Sequence, residues 1–268
     1  MTIATAVEEA VARLARAADT GTPCPPVRDL VGVDDVATAY RIQSALVARR
    51  VSGGAVRVGR KIGLTSPAVQ RQLGVGQPDF GVLLDDMAVA DGGVVAPGRL
   101  LQPKVEAEVA FWLGADLDVD PDAPIDRARL RAAVAGAAAA IEIVDSRIVG
   151  WDIRIADTVA DNASSGLFVV SEHVVPLGEV EPVDVSMTLE HNGERVADGE
   201  GRACLGDPLT ALEWLARTAA GYGDPLRAGE LVLSGALGPM VAVRPGDAVR
   251  AEITGLGPVS VSFGGGER

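Results

Sequence analysis

The chain is short of cysteine, histidine, lysine and aromatic residues, and each shortage excludes something. Its two cysteines, Cys24 and Cys204, form no CxxC pair. A disulfide framework and zinc-ribbon spacing are therefore both absent, and the composition suits a reducing cytoplasm. Both histidines lie after residue 170: His173 at a strand end, and His191 beside the Asn192-Gly193 turn, where exposure is expected. No Ser-His-Asp order, GxSxG elbow, GxGxxG or Walker loop occurs, which argues against nucleophilic hydrolysis and nucleotide binding. Aromatic residues make up only 3% of the chain, so the core must be Val, Ala and Leu. Stacking platforms for single-stranded nucleic acid are lacking. A net charge of −13 repels phosphate backbones and anionic membranes, so neither is an expected partner. No run approaches the roughly 20 apolar residues of a membrane span. The stretch Met1 to Ala18, with Glu8 and Glu9, reads as an amphipathic helix and not as a signal peptide.

What is present is a 268-residue chain, 48% apolar, enough for a sizeable core. Helical spacing predicts helices over 4–19 and from Asp34-Asp35 to about Arg50, separated by a Pro-rich linker. Val56 to Gly63 is a predicted strand. Ser66-Pro67 then opens a short helix to Leu73, followed by the Gly- and Pro-rich loop 74–81. Residues 82–113 read as β-rich and 116–126 as a surface loop. A helix is predicted over 127–139, running into a short strand over 140–147. Residues 157–166 read as a polar loop, followed by a strand over 167–170. Asn192-Gly193 signals a hairpin between 183–189 and 194–198. Asp207-Pro208 starts a helix to about Ala220, and the tail over 231–263 is short strands. The class is α+β: an N-terminal helical region (1–55) and a β-rich catalytic domain (56–268) built on a curled mixed sheet or sandwich.

The chemistry concentrates in the predicted strand 103–113. Glu106 and Glu108 share a face there, because side chains alternate along a strand. Their flanks (Val105, Val109, Ala110, Phe111) are apolar. Two carboxylates so placed need a cation, a shared proton or open water between them. Glu142 is a third acid among β-branched residues, and an unpaired carboxylate in such a setting is expensive. An all-oxygen donor set without His or Cys suits Mg²⁺ or Mn²⁺. Against this, Glu at i and i+2 is also common on ordinary surface strands. Arg occurs 22 times and Lys only at Lys61 and Lys104. Lys61 closes a strand. Desolvation and a neighbouring cation would lower its pKa and make it an acid/base candidate. Asp79, Asn162 and Ser165 sit in tight small-residue loops, where each also has a plain turn-forming reading.

Taken in order, Gly59 to Ser66, Gln77 to Gly81, Pro103 to Glu108, Ala140 to Asp145, Ala160 to Gly166, Leu233 to Gly238 and Pro245 to Asp247 resemble the 2-keto-4-pentenoate (2-hydroxypenta-2,4-dienoate) hydratase family. That family lies within the fumarylacetoacetate hydrolase superfamily, and the resemblance spans roughly 30 to 263. It implies the fold of the superfamily's C-terminal domain. It also implies a Mg²⁺ or Mn²⁺ site at Glu106, Glu108 and Glu142, acid/base roles for Lys61 and Asp79, and a pocket lined by Asn162, Ser165 and Ser234. The implied substrate is a small 2-hydroxy-dienoate or 2-oxo acid. A homo-oligomer is implied, with room for a complex with a decarboxylase or aldolase of the same pathway. The superfamily's true hydrolases use a Glu-His pair in an N-terminal lid, and no such pair is present. Alternatives are a 4-oxalocrotonate-type decarboxylase, which needs a further cation such as Arg60, Arg147 or Arg154, and a non-catalytic partner subunit.

Overall fold

The computed structural model describes residues 2–66, 70 and 76–265. Most of the helix expected from Ser66 to Leu73, and the start of the Gly-rich loop, lie outside the described residues. Helix α1 spans Ile3–Thr20, α2 Arg28–Val31 and α3 Val36–Ser52. Their ends follow from capping chemistry. Thr2 Oγ accepts from Thr5 N at the start of α1, and Gly21 closes it in the left-handed region. Asp35 accepts from Thr38 N at the start of α3. Ala10 and Leu14 of α1 and Ile42 of α3 are buried. These helices join the β body through a buried amide. Gln43 Nε2 donates to Phe80 O at 2.9 Å and to Val159 O at 3.0 Å.

The strands are β1 (Arg57–Gly63), β2 (Asp79–Leu84), β3 (Ala88–Val89), β4 (Gly93–Val95), β5 (Lys104–Leu113), β6 (Val134–Val144), β7 (Ser165–Val170), β8 (Ser186–His191), β9 (Glu194–Glu200), β10 (Leu231–Ala236), β11 (Val241–Ala242), β12 (Ala248–Ile253) and β13 (Gly257–Phe263). They form two sheets. The larger, a curled mixed half-barrel, runs β2-β1-β10-β5-β6-β7-β3, with β11 also on β5. The smaller runs β4-β13-β12-β8-β9. Strands β12 and β13 pack on β6, so the core lies between the sheets. The class is α+β, as the sequence predicts. The β8–β9 hairpin turns at Asn192 and Gly193, with φ of 55° and 80°, both in the left-handed region that a two-residue type I′ turn needs.

Three local expectations change. The Ala-rich segment predicted as helix over 127–139 is helical only over Arg127–Ala133, and β6 begins at Val134. Alanine's helix preference is a few tenths of a kcal/mol per residue. Here Ala137 to Ala140 are fully buried, with β5 on one side. Ladder hydrogen bonds and two-sided burial outweigh that preference, and the small side chains let the second sheet approach. The expected loop 157–166 contains most of a helix, Ile155–Ala160, with all six residues buried. Its N-terminus is anchored by Asp157, which accepts from Arg154 N, Val27 N and Arg28 N and pairs with Arg28. These partners are distant in sequence, so local composition does not announce them. Finally, His191 is only partly exposed and lies 2.9 Å from Asp247.

Candidate active site

Strand β5 sits between β10 and β6 in the larger sheet. Its register places Glu106 directly opposite Glu142, and Glu108 opposite Ala140. Three glutamates from two neighbouring strands therefore meet on one face, with one carboxylate oxygen from each lying within 4.8 Å of the others. Glu108 and Glu142 are buried and Glu106 is partly exposed. Lys61 and Asp79 come from β1 and β2, which pair antiparallel, and both are buried. Lys61 Nζ lies 3.1 Å from Glu142 Oε1.

The polar accounting is incomplete in a way that points to a ligand. Glu108 Oε2 accepts from Gly235 N at 2.7 Å, but its Oε1 is buried without a hydrogen-bond partner. Neither oxygen of Glu142 makes a hydrogen bond of good geometry, and Asp79 Oδ1 has none. Buried polar groups are nearly always satisfied, so such a cluster needs an explanation. The electrostatics agree. Burial, with Glu142 close by, pushes Glu106 up to about 7. Burial and the other two glutamates hold Glu108 well above the ordinary carboxylate range. Burial raises Glu142 despite Lys61, and raises Asp79 despite Lys61 and Thr158. Three acids in this state compete for protons unless a cation joins them. The donor set is all oxygen, which suits a hard divalent ion. The residues fit a metal site.

Lys61 departs from expectation. Burial works to lower its pKa, but Glu142, Asp79, Glu106 and Glu108 outweigh burial and hold it above the ordinary lysine value. It is therefore a committed ammonium within the chain's own charge set.

The acids open on a cavity of about 970 Å³ whose lining includes Lys61, Asp79, Glu106, Thr158, Ser164 and Trp151. Glycines keep the approach tight at two points. A Cβ on Gly63 would meet Asp79 Oδ1 at 2.2 Å. Gly235, at φ +104°, turns its N–H onto Glu108, and a Cβ there would meet Thr65 at 2.4 Å.

The structure thus brings Lys61, Asp79, Glu106, Glu108 and Glu142 together. It places Asn162, Ser165 and Ser234 in backbone-bracing positions. Asn162 accepts from Val82 N and donates to Val82 O, at 2.8 and 2.9 Å. Ser165 Oγ donates to Asn162 O at 2.7 Å, and Ser234 is fully buried with its hydroxyl toward Gly235 O. Sequence reasoning missed Thr158, whose Oγ donates to Asp79 Oδ2 at 3.1 Å, and Ser164, 3.3 Å from Thr158 Oγ. Both lie in the segment read as a loop. A helical reading of 155–160 would have shown Thr158 on its own turn.

The fold and the acidic site define a class, and the chain belongs to it: the fumarylacetoacetate (FAA) hydrolase C-terminal family matches residues 61–263. Within that class the similar proteins are more particular. A protein named 2-keto-4-pentenoate hydratase 2, from Dechloromonas aromatica strain RCB, is 51% identical over 258 residues, 96% of this chain and 97% of its own. The TodF product hydratase of Pseudomonas putida strain F1 is 50% identical over 258 residues, 96% of this chain and 95% of its own. Among solved structures, 4-oxalocrotonate decarboxylase from Pseudomonas putida G7, complexed with magnesium and adipate, matches with a TM-score of 0.88 at 33% identity, covering 96% of this chain and 97% of that one.

Proposed function

We propose that the protein is a metal-dependent hydratase that adds water to a 2-hydroxy-2,4-dienoate, giving a 4-hydroxy-2-oxo acid, with Mg²⁺ or Mn²⁺ held by Glu106, Glu108 and Glu142. The observation that carries this reading is the convergence of three glutamates, two of which (Glu108 and Glu142) have buried oxygens without a hydrogen-bond partner, beside a cavity lined by Glu106, Lys61 and Asp79. When bound, the ion supplies Lewis acidity toward the oxygens of the 2-oxo acid end.

The chain's own residues divide the remaining work. In the reaction the enol O–H proton leaves and C5 gains a proton. Water then adds its oxygen at C4 and a proton at C3. Lys61 presents an ammonium beside the acids, suited to stabilising negative charge that develops on the substrate oxygen. Asp79 holds its proton more readily than an ordinary aspartate because it is buried, and the Thr158 hydroxyl fixes its orientation. That combination suits a group that gives and regains a proton. Ile62, Leu64, Val144 and Leu237 supply apolar walls that limit bulk water.

The decarboxylase reading is less well supported. A six-carbon dicarboxylate asks for a second cation at its far end. Arg60 lies on the opposite face of β1 from Lys61, buried against Asp224 and Glu230. Arg147 is engaged with Asp161 and Ser165 O. Among the described residues no arginine lines the cavity, so the one cation there besides Lys61 is Lys104, and the preference for the hydratase rests on relatives of that name at about 50% identity against 33% for the decarboxylase. All three glutamates and Lys61 are in place, which argues against a non-catalytic subunit. The same reading carries the expectation of a homo-oligomer, which sedimentation in solution checks.

The test is ultraviolet loss of dienoate absorbance with 2-hydroxypenta-2,4-dienoate and Mg²⁺ or Mn²⁺. Metal-dependent loss with formation of the 4-hydroxy-2-oxo acid is expected. Persistent absorbance, under conditions where a known hydratase consumes the dienoate, refutes the assignment for that substrate.

A further inference from the structure

A second cation faces the same cavity and has no part in the roles above. Lys104 opens β5 and shares a strand face with Glu106 and Glu108. The three side chains form a row with steps of roughly 7 Å. Lys104 and Glu106 line the cavity and are partly exposed, and Glu108, farther along the strand, is buried. Lys104 Nζ lies 4.2 Å from the centroid of the Trp151 ring. That ring is itself held, because its Nε1 donates to Gln102 O at 3.0 Å. Lys104 and Trp151 line both the large cavity and an adjoining groove of about 550 Å³, which places the pair at their boundary.

Beyond the proposed metal site, Lys61 and Asp79, the charged groups of the described lining other than Lys104 are acidic: Asp198 and Glu200. The charge of Lys61 is matched to Glu142 at 3.1 Å, whereas among the described residues Lys104 has no carboxylate in ion-pairing range. A substrate carboxylate approaching this field needs a positive charge on the way in. An aromatic face holds an ammonium weakly enough to release it to a charge-assisted hydrogen bond.

We propose that Lys104, held on the Trp151 ring where the cavity meets the groove, binds the carboxylate of the incoming substrate. The inference deepens the hydratase reading and rests on it for the substrate's identity. Lys104 is a capturing and positioning residue: it acts on KM and on association, not on the bond-making step.

In the full-length protein with Mg²⁺, Lys104→Met raises KM for 2-hydroxypenta-2,4-dienoate by roughly tenfold to a hundredfold, the loss expected for one charge-assisted contact, with kcat nearly unchanged. Lys104→Arg recovers most of the loss. Added NaCl lowers kcat/KM of the unmodified protein steeply and that of the Met variant only slightly. Calorimetric titration gives a readout without turnover. The unmodified protein prefers pyruvate to the neutral pyruvamide, and in the Met variant that preference falls by about the factor by which KM rises. A Lys104–Trp151 contact that is merely structural would lower the Tm of the variant while leaving KM, salt dependence and anion preference intact, and that result overturns the proposal. If the unmodified protein fails to consume the dienoate, the hydratase reading falls, and the pyruvate and pyruvamide titrations still decide the role of Lys104.

Discussion

Replacing Glu106 with Gln should stabilise the metal-free protein and abolish its response to metal. Glu106 is pushed from the ordinary glutamate value of 4.5 up to about 7 by burial and by Glu142. A raised carboxylate pKa means the folded state holds the proton more tightly than the unfolded state. Stability therefore falls as pH rises from about 4.5 through about 7, and the penalty is complete above that. The interval corresponds to roughly 3 kcal/mol at about 1.4 kcal/mol per pH unit. Gln keeps the shape and removes the charge, so it escapes the penalty. In EDTA at pH 8 the Glu106→Gln variant should melt roughly 6–12 °C above the unmodified protein, on a slope of about 2–4 °C per kcal/mol, and the gap should close toward pH 5. Adding Mg²⁺ or Mn²⁺ should raise the Tm of the unmodified protein by mass action and leave the variant where it was. Scanning fluorimetry across pH, with EDTA and with metal, checks both halves. A variant that melts at or below the unmodified protein in EDTA at pH 8 would refute the charge argument. A variant that still gains stability from metal would refute the ligand assignment.

Three further outcomes follow from the same geometry. Gly63→Ala puts a methyl 2.2 Å from Asp79 Oδ1 and 3.4 Å from Lys61 Nζ; displacing the pair should lower kcat by roughly a hundredfold while circular dichroism stays native. Thr158→Val removes the hydroxyl that opposes the raised pKa of Asp79; the limb of the kcat/KM–pH profile that Asp79 governs should move to higher pH, and a limb that stays put or moves down would free Asp79 from that role. Asn162→Ala breaks both hydrogen bonds to Val82; it should cost about 2–4 kcal/mol in urea unfolding with little change in KM, whereas a large rise in KM with unchanged stability would return Asn162 to the substrate.

Much of the site was legible in the sequence, because it depends on local pattern. Alternation along 103–113 put Glu106 and Glu108 on one face, and the structure has them so. The apolar setting of Glu142 marked it as expensive. What a linear reading lacks is register. That Glu106 faces Glu142 across β5 and β6 depends on topology, as does the approach of Lys61 and Asp79 from the paired strands β1 and β2. The Ala-rich start of β6 and the helix Ile155–Ala160 escape a linear reading for one reason. Each is fixed by partners distant in sequence: a neighbouring strand for the first, and Arg28 and Val27 for the second. The sign of the Lys61 shift likewise depends on four acids arriving from three other strands.

The directly opposed pair of Glu106 and Glu142 has a consequence for how the chain folds. Like charges facing each other across a ladder disfavour that register, yet this pair sits within the long ladder between β5 and β6. The conflict is a point of local frustration inside an otherwise consistent sheet. On the metal reading, the ion that equips the site for chemistry also removes that frustration, so loading and the final locking of strand register become one thermodynamic event. A chain made where divalent ions are scarce would hold this register less firmly than its Val- and Ala-rich core suggests.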